Sequence, residues 1–449
     1  MGMHEWDEKT DLLAHSLLGY TVERLRLPKD PQWGARPAAE LAAAMGATVT
    51  PSGIGGHQAL RLFRDVIVPA TRPMDDPLNL AYIPSAPSLA ATLFDVVVSA
   101  SSIFAGNWEA GAGAIHAENE ALDWLAGLAG FPPGAGGCFV SGGSAANLSA
   151  LVAARHAMAA RRERPARWTF AATPEAHSSL RAAARVMDVD VVPVAPDERG
   201  ALSRAALERT VATDGDGLFA VVCSAGTTNT GTLDDLAAVA DVCGERGLWM
   251  HVDGAYGGAA LVAPSVRHRF DGIERADSFC VDPHKWLFAP YDCAALLYRD
   301  PRVAADAHSQ HGDYLDLIDR DLWNPSDFAF HLSRRARGLP LWFALATYGT
   351  DAFRDAVEHT LTTARRIAEG IDAAPGLDLV MAPDLTVVLF RRPGWAPDDY
   401  ADWSRRNARD GVILLVPTRW QGETVMRLAV VNPRTDADEV LRIIATMTT

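Results

Sequence analysis

The pattern of hydrophobic and polar positions divides the chain into three stretches. In the first stretch, up to about residue 75, the pattern predicts helices joined by turns. Residues 11–27 place their apolar side chains on one face of such a helix. A helical arm of this kind buries little surface by itself. We therefore expect it to pack on the main body of the protein or on a second subunit.

From about residue 80 to residue 300, short apolar runs alternate with amphipathic stretches. The strand-like runs include residues 218–223, 248–252 and 278–281, and the helical stretches include residues 144–160 and 233–245. Apolar strands that alternate with helices are typical of βαβ units. The pattern therefore predicts an α/β fold with a mostly parallel sheet that is covered on both faces.

Beyond residue 340 the pattern changes to that of a smaller α+β segment. It predicts a long helix over residues 341–373 and strands over residues 386–390 and 425–431. The whole chain is accordingly predicted to have three parts. These are a helical N-terminal arm (1–79), a large α/β domain (80–340) and a small C-terminal α+β domain (341–449).

Composition and charge exclude several classes of protein. Of the 449 residues, 49% are hydrophobic and 22% are charged, as is usual for a globular protein. The chain has no apolar run of about 18 residues and no secretory signal, so we expect a cytoplasmic protein without a membrane segment. A net charge of −15 argues against nucleic acid as a partner. The five cysteines are irregularly spaced without a CxxC pair, so neither a metal site nor a disulfide framework is predicted.

Lysine is rare in this chain, and one of its lysines occupies a notable position. Lysine occurs only at Lys9, Lys29 and Lys285, and the other 38 of the 41 basic residues are arginine. Lys285 follows the strand-like run 278–281, at the strand end where α/β folds bind ligands. Burial there would lower the pKa of the amine toward the neutral, nucleophilic form. From the pattern alone, a lysine that only packs beside Trp286 remains an alternative.

Two other strand ends carry residues suited to a phosphorylated ring. In SGGSAANL, Gly143 and Ser144 open a helix whose free amides favour an anion, although Gly-Gly-Ser also occurs in ordinary capped turns. In HVDGAY, Asp253 can hold a pyridine nitrogen protonated, or it can cap the next helix. Ala255 is small enough for a flat ring to lie against it. From the residues alone, the ligand-binding and the purely structural interpretations of these two motifs both stay open.

Two loop residues add weaker signals. His177 in EAHSS is a candidate to stack on the other face of such a ring, although a lone histidine in a loop is usually structural. Thr228 in GTT offers a hydroxyl donor. Both residues become candidates for the site only in combination with the motifs above.

Together these motifs resemble the fold-type I pyridoxal-phosphate enzymes, and within them the group II amino-acid decarboxylases. This family includes the aromatic-amino-acid, glutamate, tyrosine and diaminobutyrate decarboxylases. The motifs occur in the order of the family, as SGGSAANL, EAHSS, GTTNTG, HVDGAYGG, DPHKWL, RRARGLPLW and RLAVVNPRT. The resemblance covers residues 82–435. It implies a large domain with a mostly parallel seven-stranded sheet and a homodimer whose active sites lie at the subunit interface.

The resemblance also implies pyridoxal 5'-phosphate as the cofactor and a role for each motif residue. Lys285 would bind the cofactor covalently, and Asp253 would pair with its pyridine nitrogen. His177 would stack on the ring opposite Ala255, and both His177 and Asp253 would belong to the catalytic set. The remaining cofactor contacts implied by the resemblance are Gly143, Ser144, Thr228 and His284.

A tyrosine before the RRxR motif is the candidate proton donor. Tyr314 in HGDYL matches the family's loop tyrosine, which protonates the substrate Cα after carbon dioxide leaves. Relatives that form an aldehyde tend to have phenylalanine there, so tyrosine favours simple decarboxylation to the amine. Tyr82, Ser85 and Trp108 are the candidate substrate contacts, and they suit an aromatic or apolar L-amino acid.

Three positions depart from the family pattern. Ala145 replaces the usual acidic residue of the GGSEANL motif. Asp282 stands where some relatives have asparagine, and its charge would have to point away from a bound phosphate. Residues 76–80 read DPLNL and lack the histidine of the HPxF element, which leaves a specific aromatic substrate open.

Three other functions remain open on the same scaffold. One is an aldehyde-forming decarboxylative oxidase and another is a carbon–carbon lyase. Both would use the same cofactor for a different reaction. A non-enzymic alternative is an inactive homologue that serves as a partner subunit. Retention of Lys285, Asp253, His177 and Tyr314 argues against that alternative.

Overall fold

The computed structural model describes residues 3–26, 33–310 and 322–448. The α-helices of these ranges are α1 (Glu8–Arg26), α2 (Ala38–Met45), α3 (Gly56–Leu62), α4 (Leu89–Ala100), α5 (Trp108–Leu128), α6 (Gly143–Ala159), α7 (Ser179–Met187), α8 (Arg204–Asp214), α9 (Leu236–Arg246), α10 (Pro283–Trp286), α11 (Pro301–His308), α12 (Leu339–Asp372), α13 (Pro397–Arg409) and α14 (Ala437–Ile444). The β-strands are β1 (Gly136–Val140), β2 (Thr169–Ala172), β3 (Asp190–Pro193), β4 (Leu218–Ser224), β5 (Trp249–Asp253), β6 (Ser278–Val281), β7 (Ala294–Tyr298), β8 (Asp378–Leu379), β9 (Val387–Arg391), β10 (Val416–Trp420) and β11 (Glu423–Ala429).

The larger sheet has seven strands in the order β1-β7-β6-β5-β4-β2-β3. Only β7 runs antiparallel to its neighbours, so the mostly parallel seven-stranded sheet is confirmed. The three apolar runs predicted as strands are β4, β5 and β6, which lie side by side in this sheet. All of their residues are buried, as expected for parallel strands covered on both faces.

Helices cover both faces of this sheet, and the alternation of side chains along each strand divides the core in two. Val221 and Cys223 of β4 pack with α5, α8, α9 and α12. Ala220 and Val222 pack on the opposite face with α6, α7 and α11. The same alternation turns Asp253 of β5 toward α6, and this arrangement positions the site described below.

The second sheet is antiparallel, with four strands in the order β10-β11-β9-β8. Two of its strands, β9 and β11, overlap the predicted runs 386–390 and 425–431. The predicted long helix is α12, which breaks at Gly349, where φ is 75° and ψ is 160°. Leu80 packs into the core of this second unit, and the neighbouring Asn79 forms a β-bridge with Leu414. The predicted boundaries at residues 79/80 and 340/341 stay predictions.

The N-terminal arm is helical, as predicted, and α1 buries none of its residues. Three of its leucines are 45–56% exposed, namely Leu12, Leu17 and Leu18. Among the described helices, none is long and apolar enough to cross a membrane.

Candidate active site

The candidate site forms where β4, β5 and β6 end. The register of these strands aligns Ser224 with Asp253 and Asp253 with Cys280. Because the strands are parallel, the loops that follow them all leave the same edge of the sheet. The chemistry-bearing residues of three separate motifs are thereby brought together.

A cavity of about 360 Å³ lies at this edge, within the size range of small-molecule sites. Eight of the residues predicted from the sequence line it together: Gly143, Ser144, His177, Thr228, Asp253, Ala255, His284 and Lys285. Other lining residues were not predicted, among them Asn147, Ser224, Asp282 and Tyr291. The structure therefore joins motifs that lie more than 140 positions apart in the sequence into one site.

Lys285 lies on the single-turn helix α10, which begins at Pro283 because proline suits the first helical position. Its side chain is 23% exposed, and its Nζ lies 2.9 Å from Oδ2 of Asp282. Burial by itself lowers the pKa of the amine. The charge and hydrogen bond of Asp282 and the charge of Asp253 raise it by more than burial lowers it, so the net pKa is raised. The expectation of a lowered amine pKa is wrong for this structure, because it left Asp282 out.

Asp282 is 2% exposed and faces the glycine-serine loop. A Cβ added to Gly143 would lie 3.2 Å and 3.3 Å from its two carboxylate oxygens. Oδ1 has no hydrogen-bond partner among the described atoms, and Nε2 of His284 lies 3.6 Å from Oδ2. The carboxylate therefore does not point away from this loop, although the expectation from the sequence was that a bound phosphate would require it to. The amine of Lys285, whose Nζ lies 2.9 Å from Oδ2, offsets this negative charge.

The glycine-serine loop presents an uncapped helix end to the cavity. Helix α6 begins at Gly143, and its cap residue Gly142 makes no side-chain hydrogen bond to it. The first amides of a helix have no partner within it, so they are available to an anion. Glycine is required at position 143, because a Cβ there would lie 2.8 Å from the Cβ of Ala255. The structure thus has the geometry of a phosphate site.

Asp253 lies at the end of β5 and is 7% exposed. Its Oδ2 accepts a hydrogen bond of 2.8 Å from Nδ2 of Asn147, and its Oδ1 accepts one of 3.1 Å from the amide of Ala255. Asn147 was missed at the sequence level. The signal was present, since Asn147 lies one helical turn beyond Gly143 and therefore on the same side of α6.

His177 lies in the loop before α7 and lines the cavity. The Oγ of Ser179 lies 2.8 Å from its Nδ1, and the amide of Ser179 donates to the same nitrogen at 3.2 Å. Both contacts hold the imidazole ring in place. Ser179 belongs to the EAHSS motif, but no sequence signal singled it out.

The predicted substrate contacts are not among the residues that line this cavity. The side chain of Tyr82 is 63% exposed, whereas Ser85 is 2% exposed. Trp108 begins α5 and packs against a separate apolar cluster with Ala105. Their role in substrate binding stays a prediction. Tyr314, the predicted proton donor, lies outside the described residues.

A buried arginine that the sequence did not single out joins the loops around the cavity. Arg427 of β11 is 4% exposed, and burial lowers the pKa of its guanidinium to about 10. It donates to the carbonyl oxygens of Tyr82 at 2.8 Å, Thr228 at 2.6 Å and Asn229 at 3.1 Å. The backbone of Tyr82 is thereby tied to the loop that carries Thr228.

These residues fit pyridoxal phosphate. The uncapped end of α6 suits its phosphate, the buried carboxylate of Asp253 suits its pyridine nitrogen, and the amine of Lys285 suits its aldehyde. All three groups line the same cavity. The donor set therefore matches the chemistry of the group.

Comparison with known families supports this fit. Residues 57–392 match the model of the pyridoxal-dependent decarboxylase conserved domain. The chain is 32% identical over 389 residues to an aromatic-L-amino-acid decarboxylase of Bacillus atrophaeus, covering 82% of this chain and 80% of the relative. It is also 32% identical over 384 residues to an L-2,4-diaminobutyrate decarboxylase of Rhizobium meliloti (strain 1021), covering 82% and 76%.

Solved structures share the fold over nearly the whole chain. The crystal structure of Oryza sativa TDC with PLP and tryptamine has a TM-score of 0.92 at 24% identity, covering 100% of this chain and 98% of the other. The crystal structure of mouse CSAD has a TM-score of 0.88 at 26% identity, covering 97% and 98%. The fold-type I architecture is thus confirmed. Given the match over residues 57–392 and relatives at 32% identity, the chain belongs to the family of pyridoxal-phosphate-dependent amino-acid decarboxylases and is a carboxy-lyase that uses this cofactor.

Proposed function

We propose that this protein decarboxylates an aromatic or apolar L-amino acid to the amine and carbon dioxide. The observation that carries the proposal is a single cavity lined by Lys285, Asp253 and the uncapped end of α6. The relative that is an aromatic-L-amino-acid decarboxylase supports an aromatic substrate. Among the described lining residues there is no arginine to pair with a side-chain carboxylate, which favours an apolar substrate over glutamate.

Each predicted residue has a distinct task in this proposal. The amine of Lys285 would hold the cofactor covalently through its aldehyde carbon. Asp253 would hold a proton at the pyridine nitrogen, while His177 and Ala255 would confine the two faces of the ring. The phosphate and the ring edge would be held by Gly143, Ser144, His284 and Thr228. Bound pyridoxal phosphate supplies an electron-withdrawing ring that stabilises the negative charge left at Cα when the carboxylate departs.

A substrate screen tests the proposed reaction. Purified enzyme loaded with pyridoxal phosphate is incubated with each common L-amino acid and with L-2,4-diaminobutyrate, and carbon dioxide, amine, aldehyde and oxygen uptake are measured. We expect one amine per carbon dioxide without oxygen uptake, with the highest rate on an aromatic or apolar substrate. Aldehyde formed with oxygen uptake would show an oxidase instead. A highest rate on glutamate or diaminobutyrate would contradict the proposed substrate class.

We also infer that the active protein is a homodimer. On α4, Leu89, Leu93 and Val97 are 44–58% exposed and recur every fourth residue along one side of the helix. Neighbouring exposed apolar side chains of this kind mark interaction sites, and α1 exposes further leucines. A second copy of the chain would cover this surface and complete each active site at the interface.

Light scattering tests the assembly. We expect a particle of twice the 48.1 kDa of one chain. Leu93→Glu should weaken the dimer and lower activity together, because a charge would then be buried in an apolar contact. The exposed Val186→Glu on α7 serves as a control and should change neither property. A fully active monomer would refute the dimer.

Asp282→Asn should shift the pH dependence of cofactor capture. The negative charge of Asp282 raises the pKa of Lys285, so its removal lowers that pKa and enlarges the neutral fraction of the amine at any given pH. We expect capture of pyridoxal phosphate to become about tenfold or more faster near pH 7, in line with a shift of about 1–3 pH units for an opposite charge at this distance. The measurement is the rate of borohydride-trapped adduct formation between pH 6 and 10.

The control for this experiment is Asp306→Asn on α11, which is exposed and should leave the profile unchanged. A pH profile of Asp282→Asn that superimposes on that of the wild type would show that Asp282 does not set the amine pKa. The other groups near the amine, Asp253, Cys280 and His284, are the same in both variants.

A further inference from the structure

A chain of buried polar groups lies behind Asp253, and the proposed function makes no use of it. Trp249 and His251 lie on β5 and, by the alternation of the strand, face the same side as Asp253. Ser278 on the neighbouring β6 and Asn147 on α6 complete the chain. Except for Trp249, which is 5% exposed, these groups are at most 1% exposed.

The direction of each hydrogen bond in this chain follows from the chemistry of its members. The indole Nε1 of Trp249 only donates, so Oγ of Ser278 accepts from it at 2.9 Å. The hydroxyl of Ser278 then donates to Nδ1 of His251 at 2.8 Å. Burial lowers the pKa of His251 to about 4, so the ring is neutral at pH 7 and its single proton lies on Nε2. That proton is donated to Oδ1 of Asn147 at 2.9 Å.

The orientation of the Asn147 amide is thereby determined. Because Oδ1 accepts from His251, the NH₂ group faces two acceptors, Oδ2 of Asp253 at 2.8 Å and Oγ of Ser179 at 3.1 Å. The two hydrogens of the amide are therefore both used. Asn147 is the branch point that connects the chain to Asp253 on one side and to Ser179 on the other.

The second branch ends on His177. Since Oγ of Ser179 accepts from Asn147, its own proton is free to go to Nδ1 of His177, 2.8 Å away. The backbone amide of Ser179 points to the same nitrogen at 3.2 Å. Nδ1 is thus an acceptor for two donors, which places the ring proton on Nε2.

We propose that Asn147 is a positioning residue for the cofactor, and that the chain Trp249–Ser278–His251–Asn147 sets the states of both Asp253 and His177. It keeps Asp253 an acceptor, ready to hold the proton of a pyridine nitrogen. Through Ser179 it holds the imidazole ring of His177 in place, with Nδ1 as the hydrogen-bond acceptor. The inference rests on the proposed function, because it assigns these residues to that cofactor.

The first test is the affinity for pyridoxal phosphate of Asn147→Asp. The new carboxylate cannot donate a hydrogen bond to Asp253. Two carboxylates would then lie about 3 Å apart, and the repulsion between like charges makes the pair retain a proton. Asp253 is then less able to pair with the pyridine nitrogen. We expect the Kd for pyridoxal phosphate to rise roughly 10- to 150-fold, which corresponds to loss of a hydrogen bond to a charged group. The control is Asn407→Asp on α13, whose amide donates to the carbonyl of Trp403 far along the chain from the site. It should bind as the wild type does.

The second test reads the tautomer of His177 directly and does not depend on activity. The chain has 13 histidines, so the ¹⁵N signals of His177 are assigned by their loss in His177→Gln. In the wild type we expect a single neutral tautomer protonated on Nε2. In Asn147→Leu the hydroxyl of Ser179 loses the hydrogen bond from Asn147, while the amide of Ser179 still donates to Nδ1 of His177. We therefore expect the ¹⁵N signals of His177 to shift while the Nε2 tautomer is retained. An unchanged His177 spectrum in Asn147→Leu would overturn the inference.

A pair of variants at His251 covers the case in which the Asn147 variants fail to fold. The amide of His251→Gln can still donate to Oδ1 of Asn147, whereas His251→Leu cannot. We expect His251→Gln to retain most of the affinity for pyridoxal phosphate and His251→Leu to lose about tenfold or more. Equal affinities for the two variants would overturn the inference. A wild type that releases no carbon dioxide would instead refute the proposed function, and the tautomer measurement would still stand.

Discussion

Lys285→Ala is expected to abolish both decarboxylation and covalent capture of pyridoxal phosphate. The chain has only two other lysines. Lys9 lies exposed on the first turns of α1, and Lys29 lies outside the described residues. Lys285→Arg should fail in the same way, because a guanidinium group stays protonated and cannot act as a nucleophile. Carbon dioxide release and the mass of the borohydride-treated protein are the two measurements.

Lys9→Ala is the matched control and should retain full activity together with the adduct. Lys285→Ala leaves the buried carboxylate of Asp282 without its cation, and this can cost up to about 3–5 kcal/mol of folding free energy. The double variant Lys285→Ala/Asp282→Asn should recover much of that loss in a thermal melt while staying inactive. An adduct that persists in Lys285→Ala, with peptide mapping to Lys9 or Lys29, would refute the assignment.

Tyr314→Phe is expected to separate the loss of carbon dioxide from the release of the amine. If the phenol donates the proton to Cα, cofactor and substrate binding should persist in the variant. Amine release should slow by about 10²–10⁴-fold, as expected for the loss of a positioned general acid. The unprotonated carbon is then open to reaction with dioxygen, which would give aldehyde, ammonia and hydrogen peroxide. The decisive measurement is the yield of amine and aldehyde per carbon dioxide.

The alternative is a tyrosine that only packs within its own segment. Removal of such a hydroxyl costs about 0.5–1.5 kcal/mol of stability and leaves the products unchanged. Tyr400→Phe on α13 is the control, since its phenol bonds to the backbone of Arg392 and does not line the cavity. Unchanged amine yield at an unchanged rate in Tyr314→Phe would rule out the proposed role.

Much of the fold was predictable because its signals are local. The apolar runs 218–223, 248–252 and 278–281 differ from β4, β5 and β6 by at most one residue at either end. Parallel strands buried on both faces need such continuous apolar runs, so their positions can be read directly from the sequence. Helix α12 was also predictable because its signal lies within one continuous stretch of sequence. Its break at Gly349 was not predicted.

Eight of the residues that line the cavity were predictable too, because the carboxyl ends of parallel strands meet at one edge of the sheet. Lys285, Asp253 and Gly143 each follow or end a strand of the seven-stranded sheet, and all three line the cavity. The predicted substrate contacts stay a prediction. Tyr82 and Trp108 lie in segments whose course depends on packing against other parts of the chain, and neither lines the cavity.

The sequence by itself determined the strands, the family and the residues that reach the sheet edge, since each depends on a short run of neighbouring positions. Only the tertiary structure decided the state of those residues. The contact between Asn147 and Asp253 joins positions 106 apart, because α6 crosses over the end of β5. The pKa of Lys285 is raised because the turn of α10 brings Asp282 within 2.9 Å of its amine in a buried site. Charge and hydrogen bonding depend on three-dimensional distance and burial, which no local pattern of residues specifies.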